Sequence, residues 1–416
     1  MRKAAEPDGD FLRLAVGESL AKAAGFVAFA WLARRLGPEG YGAVETAAAV
    51  ALIGGLVVDG GLGPVAARAV ALDPRRAAAE AARVPALRLG LAVACVLAVT
   101  AAVWAADIGR TRGDLVLLFA LSLLAWPWNQ NWLCQGLGRT SLAAAAQPLR
   151  MGVFALGALL LVRRPEDLLR VGWLEIVAVG ALAAYFLAVQ KNRLGVAVGL
   201  RYDRRESGRL AADALPVGLG QLLWAAAHAL PVLLTALWVG GEQTAWIGAA
   251  VRVEVGLHAF VWLYFFALYP RLVTAAAGPP QALQPILRRA QWRIVALTLP
   301  IAVAGTLGSG VIGRAIFGDP FVAAGSTLAV ALWALPVAAA SGTSRFLLLA
   351  AGRQRLELAA SAVAVLAMAS GGALLIPRLG AQGAAAALVA GGVAHWLAAA
   401  WLARPLTRTR SPREGA

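Results

Sequence analysis

Twelve apolar runs alternate with short polar segments along this chain: 11–33, 42–64, 86–106, 114–135, 141–163, 170–190, 214–238, 244–268, 292–316, 321–343, 355–377 and 381–403. Each reaches the roughly 20 residues that a helix needs to cross the hydrocarbon core of a bilayer. Ala, Leu and Gly dominate the runs, and none repeats the polar/apolar alternation over about ten residues that marks a membrane β-strand. The pattern predicts an all-α polytopic membrane protein with twelve transmembrane helices. The first run is longer than the roughly 7–15 apolar residues of a signal-peptide core, so it reads as the first span, retained in the mature protein.

The polar segments orient these spans. Outside the twelve runs, Lys and Arg number 22 at the two termini and the even-to-odd turns, against six at the odd-to-even turns. Basic residues collect on the cytoplasmic side, so both termini are predicted to be cytoplasmic. The largest inner loop, 191–213, follows the sixth span. It divides the chain into an N-terminal six-helix lobe (1–190), a basic linker (191–213), a C-terminal six-helix lobe (214–403) and a basic, disordered tail (404–416). The inner segment 65–85 reads as a short basic helix lying on the membrane surface. The outer loops are all short and leave no room for an extracellular domain.

Composition agrees with lipid as the solvent. Apolar residues make up 60% of the 416, charged residues 14%, and mean hydropathy is +0.71, against about 25% charged residues in soluble domains. The net charge of +16 is spread over short loops rather than gathered in a patch, which excludes nucleic acid as the partner. Fourteen Trp against five Tyr suit anchoring at the membrane interfaces. Cys95 and Cys134 lie inside apolar runs, and no Cys/His spacing suggests a metal, so neither a disulfide framework nor a cofactor is expected.

A repeat crosses the midpoint. "AWLARRLGPEGYGAVETAAAV" at 30–50 resembles "TALWVGGEQTAWIGAAVRV" at 235–253, with Gly42-Ala43 aligned to Gly248-Ala249. Both hairpins run in the same direction, as parallel repeats about an axis along the membrane normal would. A third turn with a Gly-Ala pair, in "PRLGAQGAAAALVAG", precedes the last span.

The stretch from 21 to 71 resembles the opening of the polysaccharide flippases of the O-antigen exporter type. The resemblance lies in Arg35, Leu36, Gly37, Pro38, Glu39, Tyr41 and Gly42 between the first two spans, then Asp59 and Leu62 at the end of the second and Arg68 in the inner segment after it. "CQGLGRTSLAA" after the fourth span and "PRLGAQGAAAALVAG" before the last also fit the family. The wider superfamily includes peptidoglycan-precursor flippases and multidrug and toxin extruders. The resemblance implies a V-shaped pair of six-helix lobes around a central cavity that opens to each face in turn. It implies a bacterial inner membrane, and a cargo of oligosaccharide on a polyprenyl pyrophosphate, moved from the inner to the outer leaflet. Membrane lipids, and polysaccharide polymerase machinery, are the further partners it implies.

Such a cargo needs a polar path, and its pyrophosphate favours Lys or Arg in the wall. A basic group at mid-membrane costs about 2.5–3.5 kcal/mol on insertion scales, so it faces an interior or water. Lys22 in the first span and Arg252 in the eighth are therefore candidates for the cargo site. Lys22 has an alternative reading as half of an i,i+4 pair with Glu18. Arg252 and Glu254, two residues apart, point to different helix faces.

Span four holds "WPWNQNWLCQG". Asn129 and Asn131, with Gln130 and Gln135, read either as a sugar-binding wall or as polar groups joining helices. Arg34 and Arg35 stand on the outer side against the charge rule, and read either as headgroup anchors or, for Arg35, as a phosphate contact at the exit. His228, beside Gln221 and flanked by Pro216 and Pro231, reads as a packed core histidine or a proton-coupling group. Asp59 reads as structural, and Arg68 as an ordinary inner-loop charge. A multidrug or cation extruder of the same superfamily remains an alternative, as does a peptidoglycan-precursor flippase. A membrane enzyme is disfavoured, because neither a sizeable outer loop nor a paired-carboxylate motif is present.

Overall fold

The computed structural model describes residues 7–106, 108–276 and 280–407. Arg2, Lys3 and most of the 404–416 tail lie outside the described residues. Helix dominates throughout, and no strand occurs among the described residues. The chain forms two compact units, Met1–Ala225 and Ala226–Ala416. The first contains α1 (Pro7–Asp59), α2 (Leu62–Leu72), α3 (Ala77–Ala106), α4 (Arg110–Ser122), α5 (Asn131–Gly136), α6 (Thr140–Ala144), α7 (Ala146–Leu161), α8 (Leu168–Asn192) and the start of α9 (Arg204–Trp238). The second contains the rest of α9, then α10 (Gly241–Ala276), α11 (Pro280–Leu307), α12 (Ser309–Phe317), α13 (Ala324–Ala331), α14 (Ala334–Ala350), α15 (Gln354–Leu379) and α16 (Ala381–Thr407).

Ten helical stretches among the described residues are long and apolar enough to cross a membrane. The hydropathy pattern predicts twelve, and two features account for the difference. Val16–Leu72 counts as a single stretch that holds the first two predicted spans. It is divided at Gly37, whose φ of 69° and ψ of 176° leave the helix just before Pro38. A positive φ is cheap only for glycine, and Pro38 biases its predecessor away from helix. The chain doubles back there: a straight helix would hold Phe29 and Tyr41 about 18 Å apart, yet their ring centroids are 6.5 Å apart.

The second feature is span four, which the pattern predicts as one helix over 114–135. Instead α4 ends at Ser122, a 3₁₀ turn covers Trp126–Trp128, and helix resumes as α5 at Asn131. Pro127 supplies no amide and clashes with a continuing helix. Irregular backbone at membrane depth survives where protein covers it and satisfies its polar groups. Arg88 does this, its Nη1 donating to the Asn129 carbonyl at 2.8 Å.

The 65–85 segment is helical as expected, but α2 rests on protein. Its apolar side, Leu62, Ala66 and Val70, is buried with Trp132, Leu133 and Ala214. The turn before it is pressed against α9: a Cβ on Gly61 would stand 2.4 Å from the Ala214 carbonyl oxygen and 2.5 Å from the Gly218 nitrogen. The 191–213 segment is likewise docked onto the start of α3. The Arg201 amide donates to the Ala82 carbonyl at 3.0 Å, and buried Arg83 binds both Glu80, at 2.9 Å, and Glu206.

In the second unit, Phe265 and Phe346 stack at 5.1 Å within a cluster that includes Leu272, Leu335 and Leu347. Elsewhere in this unit the starts of α10 and α16 meet, the Gln243 carboxamide oxygen accepting the Ala381 amide at 2.8 Å.

Candidate functional site

Small residues seat one face of α1 on its neighbours. A Cβ on Gly17 would meet the Ala144 carbonyl oxygen at 2.4 Å, and one on Gly25 would meet the Met151 side chain at 2.8 Å. Ala21 and Ala28 continue that buried face. The other face carries Glu18 and Lys22, joined at 3.7 Å with side chains 57% and 56% exposed. The i,i+4 pair expected from the sequence therefore forms. Pairing lowers the cost of the two charges but does not remove it, and an exposed ion pair in a span is far cheaper against water or polar cargo than against lipid tails.

Arg35 lies exposed near the hairpin, its guanidinium 4.2 Å from the ring centroid of Trp31. Trp31 is fixed in turn, its Nε1 donating to the Val162 carbonyl at 2.9 Å. Lys22 and Arg35 are thirteen positions apart on one helical run, roughly 20 Å along its axis, so one phosphate group cannot touch both. Asn129 and Asn131 sit half-buried at the break in span four. The Asn129 carboxamide oxygen caps the Asn131 amide at 3.4 Å, and Gln135 approaches Asn131 at 3.5 Å. Between them Gln130 is buried, both atoms of its carboxamide without a hydrogen-bond partner.

Buried and half-buried ion pairs fix this unit internally. Arg88 binds Asp59, and Arg150 binds Glu175 at 2.7 Å. Asp59 is thus the structural group expected of it. Arg88, Arg150 and Glu175 stand within predicted spans, and their positions inside apolar runs were the signal that could have marked them as paired.

In the second unit Arg252 is half-buried on α10, and two residues further on Glu254 is buried among histidines. Glu254 Oε1 lies 3.0 Å from His258 Nδ1, and Oε2 lies 4.0 Å from His228 Nε2. His228 is therefore not an isolated core histidine. A second cluster joins Glu357 to Arg345 Nε at 3.1 Å, to Ser361 Oγ at 3.0 Å and to His395 Nε2 at 3.7 Å. Arg345 also lies 4.9 Å over the Trp262 ring. All three histidines of the chain thus stand against acidic groups in this unit. Sequence spacing gave two of these contacts a visible sign, the i,i+4 relations of Glu254 with His258 and of Glu357 with Ser361.

The helical fold is similar to that of solved transporters of the multidrug/oligosaccharidyl-lipid/polysaccharide (MOP) superfamily. A multidrug-resistance MATE transporter in its inward-facing conformation aligns with a TM-score of 0.75 at 14% identity, over 96% of this chain and 98% of that one. The lipid II flippase MurJ, in an inward closed conformation, aligns at 0.74 and 10% identity, over 94% and 87%. A MOP-superfamily transporter from Pyrococcus furiosus, whose binding pocket is described as having reverse polarity, aligns at 0.62 and 15%, over 97% and 98%. Residues 10–275 match the family described as "Polysaccharide biosynthesis protein", and the chain belongs to that family. No curated protein matches it by sequence.

Proposed function

We propose that this protein moves a polyprenyl-pyrophosphate-linked oligosaccharide from the inner to the outer leaflet of a bacterial cytoplasmic membrane by alternating access, with both termini cytoplasmic. The observation that carries this reading is the family match over residues 10–275, on a chain with the MOP transporter fold. The sugar and pyrophosphate cannot cross about 30 Å of hydrocarbon unaided, so the chain must offer polar groups at that depth. Lys22, exposed on α1, and Arg252 on α10 supply positive charge for the pyrophosphate in this reading. Asn129 and Asn131 offer amide groups to sugar hydroxyls, and Arg35 meets the phosphate at the outer interface. The lobes 1–190 and 214–403, joined by 191–213, are the moving parts. The reading assigns no bond-making or bond-breaking to the chain.

Reconstitution tests it. Proteoliposomes loaded with fluorescent pyrophosphate-linked oligosaccharide on one leaflet should expose it to an impermeant quencher on the other, faster than empty vesicles do. Equal rates with and without the protein would overturn the reading. Transport of lipophilic cations in place of the saccharide lipid would assign the chain to drug extrusion instead.

A further inference from the structure

We infer that His228, Glu254 and His258 form a binding site for one divalent transition-metal cation of the zinc type, a function that stands apart from the cargo assignment. Glu254 and His258 sit one turn apart on the same face of α10, and His228 faces them from α9. One donor atom from each residue lies within 4.8 Å of the other two. The carboxylate is sandwiched, with His258 Nδ1 3.0 Å from one oxygen and His228 Nε2 4.0 Å from the other. The two imidazole rings are 5.9 Å apart and inclined at 62°.

Two features point to a cation rather than to packing. The Glu254 side chain is 1% exposed, and its Oε2 has no hydrogen-bond donor. An unsatisfied buried acceptor is costly, the more so when charged, and a metal ion would satisfy it. The imidazoles keep 14% and 18% of their surface exposed, so the group is not sealed, and three protein ligands leave a tetrahedral ion one position for water.

The donor set selects the class of ion. Two imidazole nitrogens and one carboxylate suit zinc and its first-row neighbours, whereas calcium and magnesium take oxygen donors. A tetrahedral ion with bonds of about 2.1 Å needs donors roughly 3.4 Å apart, so the cluster must contract around the ion. The second histidine cluster is unsuited to the same role. Its carboxylate, Glu357, already holds the Arg345 guanidinium at 3.1 Å, and that charge repels a dication. Sequence spacing did not reveal the site because its ligands come from two helices, 26 residues apart.

The small number of competing ligands makes the test clean, since the chain has three histidines and two cysteines. The full-length protein, purified in detergent with a histidine-free tag, is dialysed against Zn²⁺ and separately against Co²⁺. We expect one ion per chain and a visible cobalt absorption band. Changing a group that only supports a metal ligand costs about 10–100-fold in affinity, so His228→Ala, His258→Ala and Glu254→Gln should each weaken binding by about tenfold or more. His395→Ala should bind as the parent does. Wild-type protein that takes up no Zn²⁺ overturns the site outright. So does uptake that survives the His228→Ala/His258→Ala double variant or disappears with His395→Ala. If a ligand variant fails to fold, the wild-type stoichiometry and the His395→Ala result still decide.

Discussion

Arg88 binds the Asp59 carboxylate from inside the bundle, and the same guanidinium takes the Asn129 carbonyl at 2.8 Å. One buried side chain thereby ties the end of the second span to the break in the fourth. Removing one partner of a buried pair leaves an uncompensated charge and costs about 3–5 kcal/mol. Arg88→Ala also frees the Asn129 carbonyl, so it should unfold at markedly lower temperature in detergent than Asp59→Asn does. Asp59→Leu combined with Arg88→Met should recover part of the loss. Equal melting temperatures for all four proteins would show that the pair carries no weight.

Lys22 and Glu18 make the opposite prediction, because their pair is more than half exposed. Exposed pairs contribute about 0–1 kcal/mol, so neither Lys22→Ala nor Glu18→Gln should change the amount of folded protein. Lys22→Ala should abolish polysaccharide export, and Glu18→Gln should leave it intact. If the lysine serves only to neutralise the glutamate, the Glu18→Gln/Lys22→Ala double variant will export normally. A dead double variant supports the cargo role.

The difference between these two pairs shows what the sequence makes legible. Glu18 and Lys22 are one helical turn apart, so their contact can be read from spacing alone, as can the break at Gly37-Pro38. Asp59 and Arg88 are 29 residues apart, and Glu357 and His395 are 38 apart, so only the packed bundle brings them together. Span four misleads for a different reason. Its apolar run continues through Trp126 and Trp128, hydropathy sees no interruption, and the break depends on Pro127 together with an arginine from another helix.

The orientation rests on charge counting, and cysteine labelling tests it. In a variant lacking Cys95 and Cys134, single cysteines replace Arg205 or Glu242. An impermeant thiol reagent added outside intact cells should modify position 242 and spare position 205 until the membrane is opened. The reverse pattern would place both termini outside.

Asp203 begins α9, its Oδ1 accepting the amides of Glu206 at 2.9 Å and Arg205 at 3.0 Å. The Glu206 amide is the largest of the influences holding this carboxyl below the usual carboxylate range. A group whose pKa is depressed on folding adds stability above its unfolded value, about 3.9, and loses it as pH falls through the lower folded value. Asp203→Asn retains an acceptor but not the charge. Its melting temperature should lie below that of the parent by a constant amount at neutral pH, and the gap should narrow below about pH 4. A gap independent of pH would show that the cap works through hydrogen-bond geometry alone.

Arg35 is the sharpest test of cargo contact against anchoring. Its guanidinium lies 4.2 Å from the Trp31 ring, and Trp31 is held by its bond to the Val162 carbonyl. Stacking of this kind orients a planar fork and leaves its edge free to donate. Lysine keeps the charge and still reaches the headgroups, but it neither stacks as a plane nor binds phosphate oxygens in pairs. If Arg35 only anchors the helix end, Arg35→Lys will export normally. If it receives the pyrophosphate, Arg35→Lys will lower export while Arg34→Lys will not, and Trp31→Leu, which removes the stacking surface, will reproduce much of the Arg35→Lys loss. Export should be measured as surface polysaccharide per unit of membrane-inserted protein, so that a change in protein amount is not taken for a change in transport. Silence of both lysine variants would leave anchoring as the whole role of the two arginines.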